Sequence, residues 1–408
     1  KIRSYCSCKK YSCLYLMIDG EEKVGFFSNQ DKRLQERYIE LLSVCSSFSN
    51  LFSDSDVPFL YYRTHENVFC EAFEAINVAR DDISIDAKKE NIGVGLKTFR
   101  HSNGKTFQKV AEFDKQLKKI DISNKLDLIK TISEYRNKRI TFAKNVHNLD
   151  NLIYHLITRE EHRLLIFEEA MDMVDIDNLK VDKSTNSSVL FNDGVNEYNF
   201  NFAKSTLLKR FMCSPSELIT SFEVDILEKP LNVLLNTYKN EVTFLSQARL
   251  VKPKDYIVLP LYNPRNRDVE KRSGLNQWNA NGRKRNENEV YIPIPSWIHK
   301  VKKDFFTYNT NDHKTSSFMV CLPNGRKLSM KVCQSGGKAL MSNPNNLLGM
   351  WILRDVLNIP IGTPVTRELL DIIGIDSIKL TKIDTDVYEM GFLKKGSFEI
   401  FEHMYRRG

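Results

Sequence analysis

The sequence predicts an α+β protein in two parts: a mixed-sheet α/β core carrying a helical insert, followed by a β domain of short strands, a barrel or a sandwich. Three observations predict it. The 408 residues exceed what one ordinary core holds. Helical and extended patterns alternate up to about Gln247, whereas beyond Tyr256 short strands and turns follow at close spacing. The charge changes at the same place: from Gln247 onward there are 26 Lys and Arg against 16 Asp and Glu, while the rest carries 34 against 36. The expected domains are therefore 1–248, with a helical insert at about 120–175, and 249–408, with Pro253 punctuating the join.

In chain order, Cys13–Ile18 reads as a strand ending at the Asp19-Gly20 turn. A helix follows, with Leu34, Tyr38, Leu41 and Leu42 on one face. A second helix carries Val68, Phe69, Ala72, Phe73 and Ile76 at the spacing of a half-buried face. Ile83–Ala87 and Ile92–Phe99 read as strands, Phe107–Leu117 as a short helix, and Ile122–Val174 as helical. Ser187–Phe202 has the Asn192-Asp193-Gly194 turn of a hairpin, and helical patterns resume to Gln247. Beyond it, IVLPLY, EVYIPIP, SSFMVCLP, KLSMKV, SIKLTKI, DVYEMGF and SFEIF read as strands, with helices near Leu347–Leu357 and after Thr366.

Composition excludes several classes. Hydrophobic and charged fractions of 41% and 27% are those of a globular protein, and no apolar run reaches the length of a membrane span. The apolar YSCLYLMIDG is short and lacks a signal-cleavage pattern. The chain begins at Lys1, and a few native residues are expected ahead of it. Eight scattered cysteines suit reduced thiols in a cytoplasmic, bacterial setting; Cys6, Cys8 and Cys13 cluster, with no fourth zinc ligand nearby. The C-terminal positive surplus suits a polyanion or a plain basic surface.

The chemistry concentrates in RTHENVFCEAFEAINVARDDISIDAKKENIGVGLKTF. A metal-dependent nuclease needs carboxylates at adjoining strand ends to hold a divalent ion and a lysine near the attacking water. Asp86 closes one strand and Lys97 lies on the next. Blander readings stay open: Asp82 and Asp86 as turn residues, Lys97 as an edge-strand gatekeeper, Glu112 as a solvated acid paired with Lys109 or Lys115. No P-loop, HExxH pair or HxK pattern occurs.

The run Gly93-Val94-Gly95-Leu96-Lys97-Thr98 resembles the Gly-Val-Glu-Leu-Lys-Thr strand of MutH-like nucleases of the PD-(D/E)xK superfamily. The resemblance implies that Asp86 is the family's aspartate and metal ligand, that Lys97 is its lysine, and that Mg2+ is the cofactor. The family's glutamate is Gly95 here, so another acid is needed. Glu112, 15 residues beyond Lys97, is the expected second metal ligand, and Glu66 on the preceding helix a further acid.

Two polar arms mark the C-terminal part. The first holds Arg272, Asn276, Gln277, Trp278, Asn279, Arg283, Lys284 and Arg285; the second holds Gln334, Lys338, Ser342 and Asn343 around Gly336-Gly337. Arg pairs with guanine, Asn and Gln with adenine, and Lys mostly meets phosphate. The segments SGLNQW, EVYIPIP and GGKALMSNPN, within roughly 255–403, resemble the C-terminal DNA-binding domain of NgoFVII-type restriction endonucleases. That domain is similar to plant B-three-type domains and to the specificity domains of EcoRII and BfiI. The resemblance implies a pseudobarrel that reads double-stranded DNA, with a cognate methyltransferase in the same system and a homodimer among the expected assemblies.

Two functions follow. The first is a type II site-specific restriction endonuclease hydrolysing DNA phosphodiesters with Mg2+. The second is a sequence-specific DNA-binding protein, methylation-sensing in one version of this reading, whose nuclease-like domain is inactive because of Gly95.

Overall fold

The computed structural model describes residues 16–18, 21–23, 25–79, 84–113, 123–240, 254–309 and 314–406. Asp82, Lys115 and the Cys6, Cys8 and Cys13 cluster lie outside the described residues. No described helix is long and apolar enough to cross a membrane.

Helix α1 (Lys32–Ser47) starts where the Asp31 carboxylate accepts the Arg33 amide, and it buries Tyr38 and Leu42. Helix α2 (Tyr62–Phe73) buries His65, Glu66, Val68, Phe69, Ala72 and Phe73. It stops at Glu74, which adopts the left-handed conformation with φ 54°. Both helices pack on one face of a six-stranded sheet through Phe69, Phe73, Val94, Leu96 and Ile157.

That sheet runs Thr220–Glu223, Arg163–Ala170, Asn151–Glu160, Ile92–Arg100, Ala87–Lys89, Ile76–Asn77. Its central pair, Ile92–Arg100 and Asn151–Glu160, is parallel, with Gly95 beside Tyr154 and Lys97 beside Leu156. Parallel neighbours need a long crossover. Helix α3 (Lys125–His147), capped by Asn124, is part of it and covers the sheet's other face.

The helical insert is narrower than expected. Asn151–Ala170 forms two strands of the sheet rather than helix, turning at His162 with φ 52°. LIYHLIT and RLLIF are buried on both faces, so they lack the alternation that marks a half-buried strand. Lys105–Glu112 is also a strand rather than the start of a helix. It pairs with Thr206–Met212 over the full length of that strand, in a five-stranded sheet completed by the predicted Asn192–Gly194 hairpin and Lys180–Ser184. Long-range pairing here outweighs local helix preference.

Strands in the C-terminal part run Tyr256–Pro260, Ile375–Asp384, Val387–Lys394, Phe318–Cys321, Lys327–Cys333. From Lys327–Cys333 the sheet continues through Ala339–Ser342 to Ile292–Pro293, which lies beside Tyr256–Pro260. The sheet thus nearly closes into a barrel, as predicted, around Trp351, Phe392, Ile378 and Leu340. SFEIF is the one predicted strand here that is helical, within Ser397–Arg406: Phe398, Phe401 and Tyr405 share the inner face at spacings of three and four.

The two parts share packing. Phe142 and Val146 of α3 enter the barrel core, Phe142 meeting Phe392 at 5.4 Å, and Ile372 of the barrel joins the cluster beneath the five-stranded sheet. Polar contacts secure the seam: Arg139 Nε donates to the Ile372 carbonyl at 2.8 Å and Lys88 Nζ to that of Pro323 at 2.8 Å.

Candidate active-site cleft and nucleic-acid interface

Asp86 and Lys97 come together. The Asp86 amide donates to the Val94 carbonyl at 2.8 Å, continuing the ladder one residue beyond the strand Ala87–Lys89. Its Oδ2 accepts the Leu96 amide at 2.7 Å, and Lys97 Nζ lies 3.8 Å from the same oxygen. The carboxylate therefore takes the place of the next strand residue, and the lysine emerges just past it. Each side chain is about a quarter exposed. Because Ile92–Arg100 is an interior strand, Lys97 does not guard a sheet edge.

Both open onto a cleft of about 640 Å³. The N-terminal part lines it with Ser84, Asp86, Lys97, Lys109, Glu112 and Arg139. The barrel lines it with Asp371, Gly374, Lys394 and Lys395. Glu112 reaches this cleft from its strand rather than from a helix; its side chain is 59% exposed and meets Lys109 at 3.1 Å.

Glu66 is buried on α2, where Arg63 Nη1 donates to it at 2.7 Å. Burial holds its carboxyl above the usual range against the pull of Arg63, and the charges of Asp86 and Lys97 both reach it. A buried chain that sequence reasoning missed fixes α2 here. The Tyr38 hydroxyl lies 2.9 Å from His65 Nε2 and 3.0 Å from His155 Nε2, and His155 Nδ1 lies 2.7 Å from Glu168. Glu168 in turn accepts the Phe26 and Phe27 amides. Burial pushes the Tyr38 phenol well up and the His65 imidazole well down, so both stay neutral near pH 7.

At Gly95 the expected glutamate position is filled from outside. A Cβ there would stand 2.6 Å from Met171 Cε and 3.0 Å from the Tyr154 ring. Among the described residues no three His, Cys, Asp or Glu side chains converge as a ready metal cage. The donor set nonetheless fits Mg2+, which is commonly held by one or two carboxylates together with waters and substrate phosphates. Asp86, about a quarter exposed on the cleft wall, is the acid beside Lys97 that such an ion would meet.

The predicted reading arms divide by burial. Asn276 is buried: its Nδ2 donates to the Glu270 and Val365 carbonyls and its Oδ1 accepts the Val365 amide at 2.8 Å. Ser342 is also internal, bonding the Pro344 carbonyl and the Leu348 amide. Gln277 donates to the buried Glu289, which also receives Arg283 and lies 3.6 Å from Arg285 Nε. Arg285 further donates to the Ala280 carbonyl, and Trp278 packs on the barrel core. Arg272, Asn279, Arg283, Lys284, Gln334, Lys338 and Asn343 face solvent. Gln334 does so at φ 70°, beside Gly336 and Gly337. Glu289, which organises the first arm, was not singled out in the sequence; nothing there separates it from Glu287.

Residues 243–384 match the family model of the NgoFVII C-terminal B3-like DNA-binding domain. No curated protein matches the chain. The matched segment covers most of the near-closed barrel, and it points to DNA binding within a restriction system.

Proposed function

We propose that the protein is a site-specific endonuclease of a restriction system, hydrolysing double-stranded DNA in the Asp86–Lys97 cleft with Mg2+. One observation carries the reading: an aspartate and a lysine from adjoining strands face a cleft whose other wall is the DNA-binding barrel. Asp86 would hold the ion, with Glu66 or Glu112 as second acid. Bound there, Mg2+ would stabilise the charge developing on phosphorus and lower the pKa of a bound water. Lys97 orients the attacking water and the phosphate, and Asp86 in turn holds Lys97 in place. The exposed arm residues Arg272, Arg283 and Lys338 supply the reading face, and a methyltransferase of the same specificity would protect host DNA.

The Gly95 packing favours a second reading, a DNA-binding protein whose nuclease-like part is silent. Met171 and Tyr154 occupy the space into which an acidic side chain at position 95 would grow. Incubating the full chain with plasmid DNA, with Mg2+ or with a chelator, separates the two. Discrete Mg2+-dependent fragments support the endonuclease; intact plasmid under conditions of specific binding supports the silent form.

A further inference from the structure

We infer that Lys394 and Lys395 of the barrel form a phosphate-binding wall of the cutting cleft, so that the barrel grips the backbone being cut as well as reading sequence. The inference rests on the endonuclease reading. Among the described residues, five cations (Lys97, Lys109, Arg139, Lys394 and Lys395) line the cleft with three carboxylates (Asp86, Glu112 and Asp371). The positive character of this lining suits a polyanion entering the cleft.

Lys395 is held in place, and Lys394 is the last residue of the strand before it. Lys395 follows the strand Val387–Lys394, and its amide donates to the Gly374 carbonyl at 3.1 Å. Its Nζ meets Asp371 Oδ1 at 3.0 Å, an oxygen shared with Arg367 at 3.1 Å. Gly374, at φ 93°, lets the turn close on Arg139; a Cβ there would stand 3.2 Å from the guanidinium. Arg139 joins the two walls, donating to the Glu112 carbonyl at 2.7 Å and to that of Ile372 at 2.8 Å. The barrel lysines therefore line the same cleft as Asp86 and Lys97 beside a braced seam, where a DNA strand held at that pair would come within their reach.

The test uses the full chain carrying Lys394→Gln with Lys395→Gln, the single Lys394→Gln, which spares the Asp371 pair, and the matching Arg substitutions. The probe is a duplex of mixed sequence. Two quantities are read: the slope of log Kd against log salt without divalent metal, and single-turnover cutting of plasmid with Mg2+. Each phosphate contact contributes about 0.9 to that slope. The Gln pair is expected to flatten it by about two and the single variant by about one. Cutting should fall by about tenfold, as loss of a charge-assisted contact implies, with Arg restoring both quantities. Unchanged slope and cutting in the single and paired Gln variants overturn the inference while leaving the endonuclease reading intact. If the wild-type chain cuts nothing, the endonuclease reading fails. The slope alone then decides whether these lysines touch phosphate.

Discussion

The Asp86 carboxylate holds the Leu96 amide at 2.7 Å and faces the Lys97 ammonium at 3.8 Å through the same oxygen. One acid thus bonds the neighbouring strand and orients the lysine that follows. Mg2+ is commonly held by one or two carboxylates, and Glu66 and Glu112 differ as candidates for the second. Glu66 is buried and feels both members of the pair, whereas Glu112 is exposed on another sheet and neutralised by Lys109. Glu66→Gln is expected to lower Mg2+-dependent cutting by about 10- to 100-fold, and Glu112→Gln by clearly less. Single-turnover rates at saturating enzyme check it, and the reverse order would make Glu112 the second acid.

Asn276→Ala is expected to act on stability and leave sequence preference unchanged. The substitution strands the Val365 amide and two carbonyls in a buried site, at a cost of about 1–3 kcal/mol. Denaturant unfolding measures the cost, and competition between duplexes checks the preference. Relaxed preference at unchanged stability would place Asn276 on DNA.

Phe142→Ala tests the seam between the two parts. Phe142 is 3% exposed and sits in the barrel core although it belongs to α3. Its truncation is expected to cost about 3–5 kcal/mol and to lower the melting of the barrel with that of the rest. Two separated transitions, with only the N-terminal one shifted, would mean that the parts fold independently.

Acid should weaken the same seam. Burial, helped by the charge of Lys88 and opposed by the Pro323 carbonyl, lowers the His147 imidazole to about 4. Between that value and about 6.5, the unfolded chain binds a proton that the folded chain refuses. Stability is therefore full above about pH 6.5 and falls as the pH drops toward 4, by about 3 kcal/mol from this residue. His65, lowered by burial, adds in the same direction. Unfolding free energies between pH 7 and pH 4.5 check it, and His147→Gln should flatten the profile.

Much of this was legible in the sequence, for physical reasons that also mark where legibility ends. Asp86 and Lys97 were legible as an acid and a lysine on adjoining extended runs within a family-like motif, although the strand begins at Ala87, after Asp86, rather than closing with it. Glu112 was named from the sequence, but its route was not legible: it reaches the cleft from a strand paired with Thr206–Met212, nearly a hundred residues away along the chain, rather than from a helix. Asn276 and Ser342 share the chemistry of base-reading residues, yet the barrel uses them internally. Side-chain type does not distinguish a hydrogen bond to a base from one to a buried carbonyl. Asn151–Ala170 was misread because burial on both faces erases the period that identifies a strand.

The most direct test of the central claim is cleavage of plasmid DNA with Mg2+ by the full chain and by its Lys97→Ala and Asp86→Asn variants, with DNA affinity measured in parallel. The wild type is expected to give discrete fragments and either variant none, with affinity for DNA nearly unchanged because the barrel is intact. Near wild-type cutting by Lys97→Ala would contradict the claim, and so would a wild-type chain that binds DNA specifically and leaves it whole.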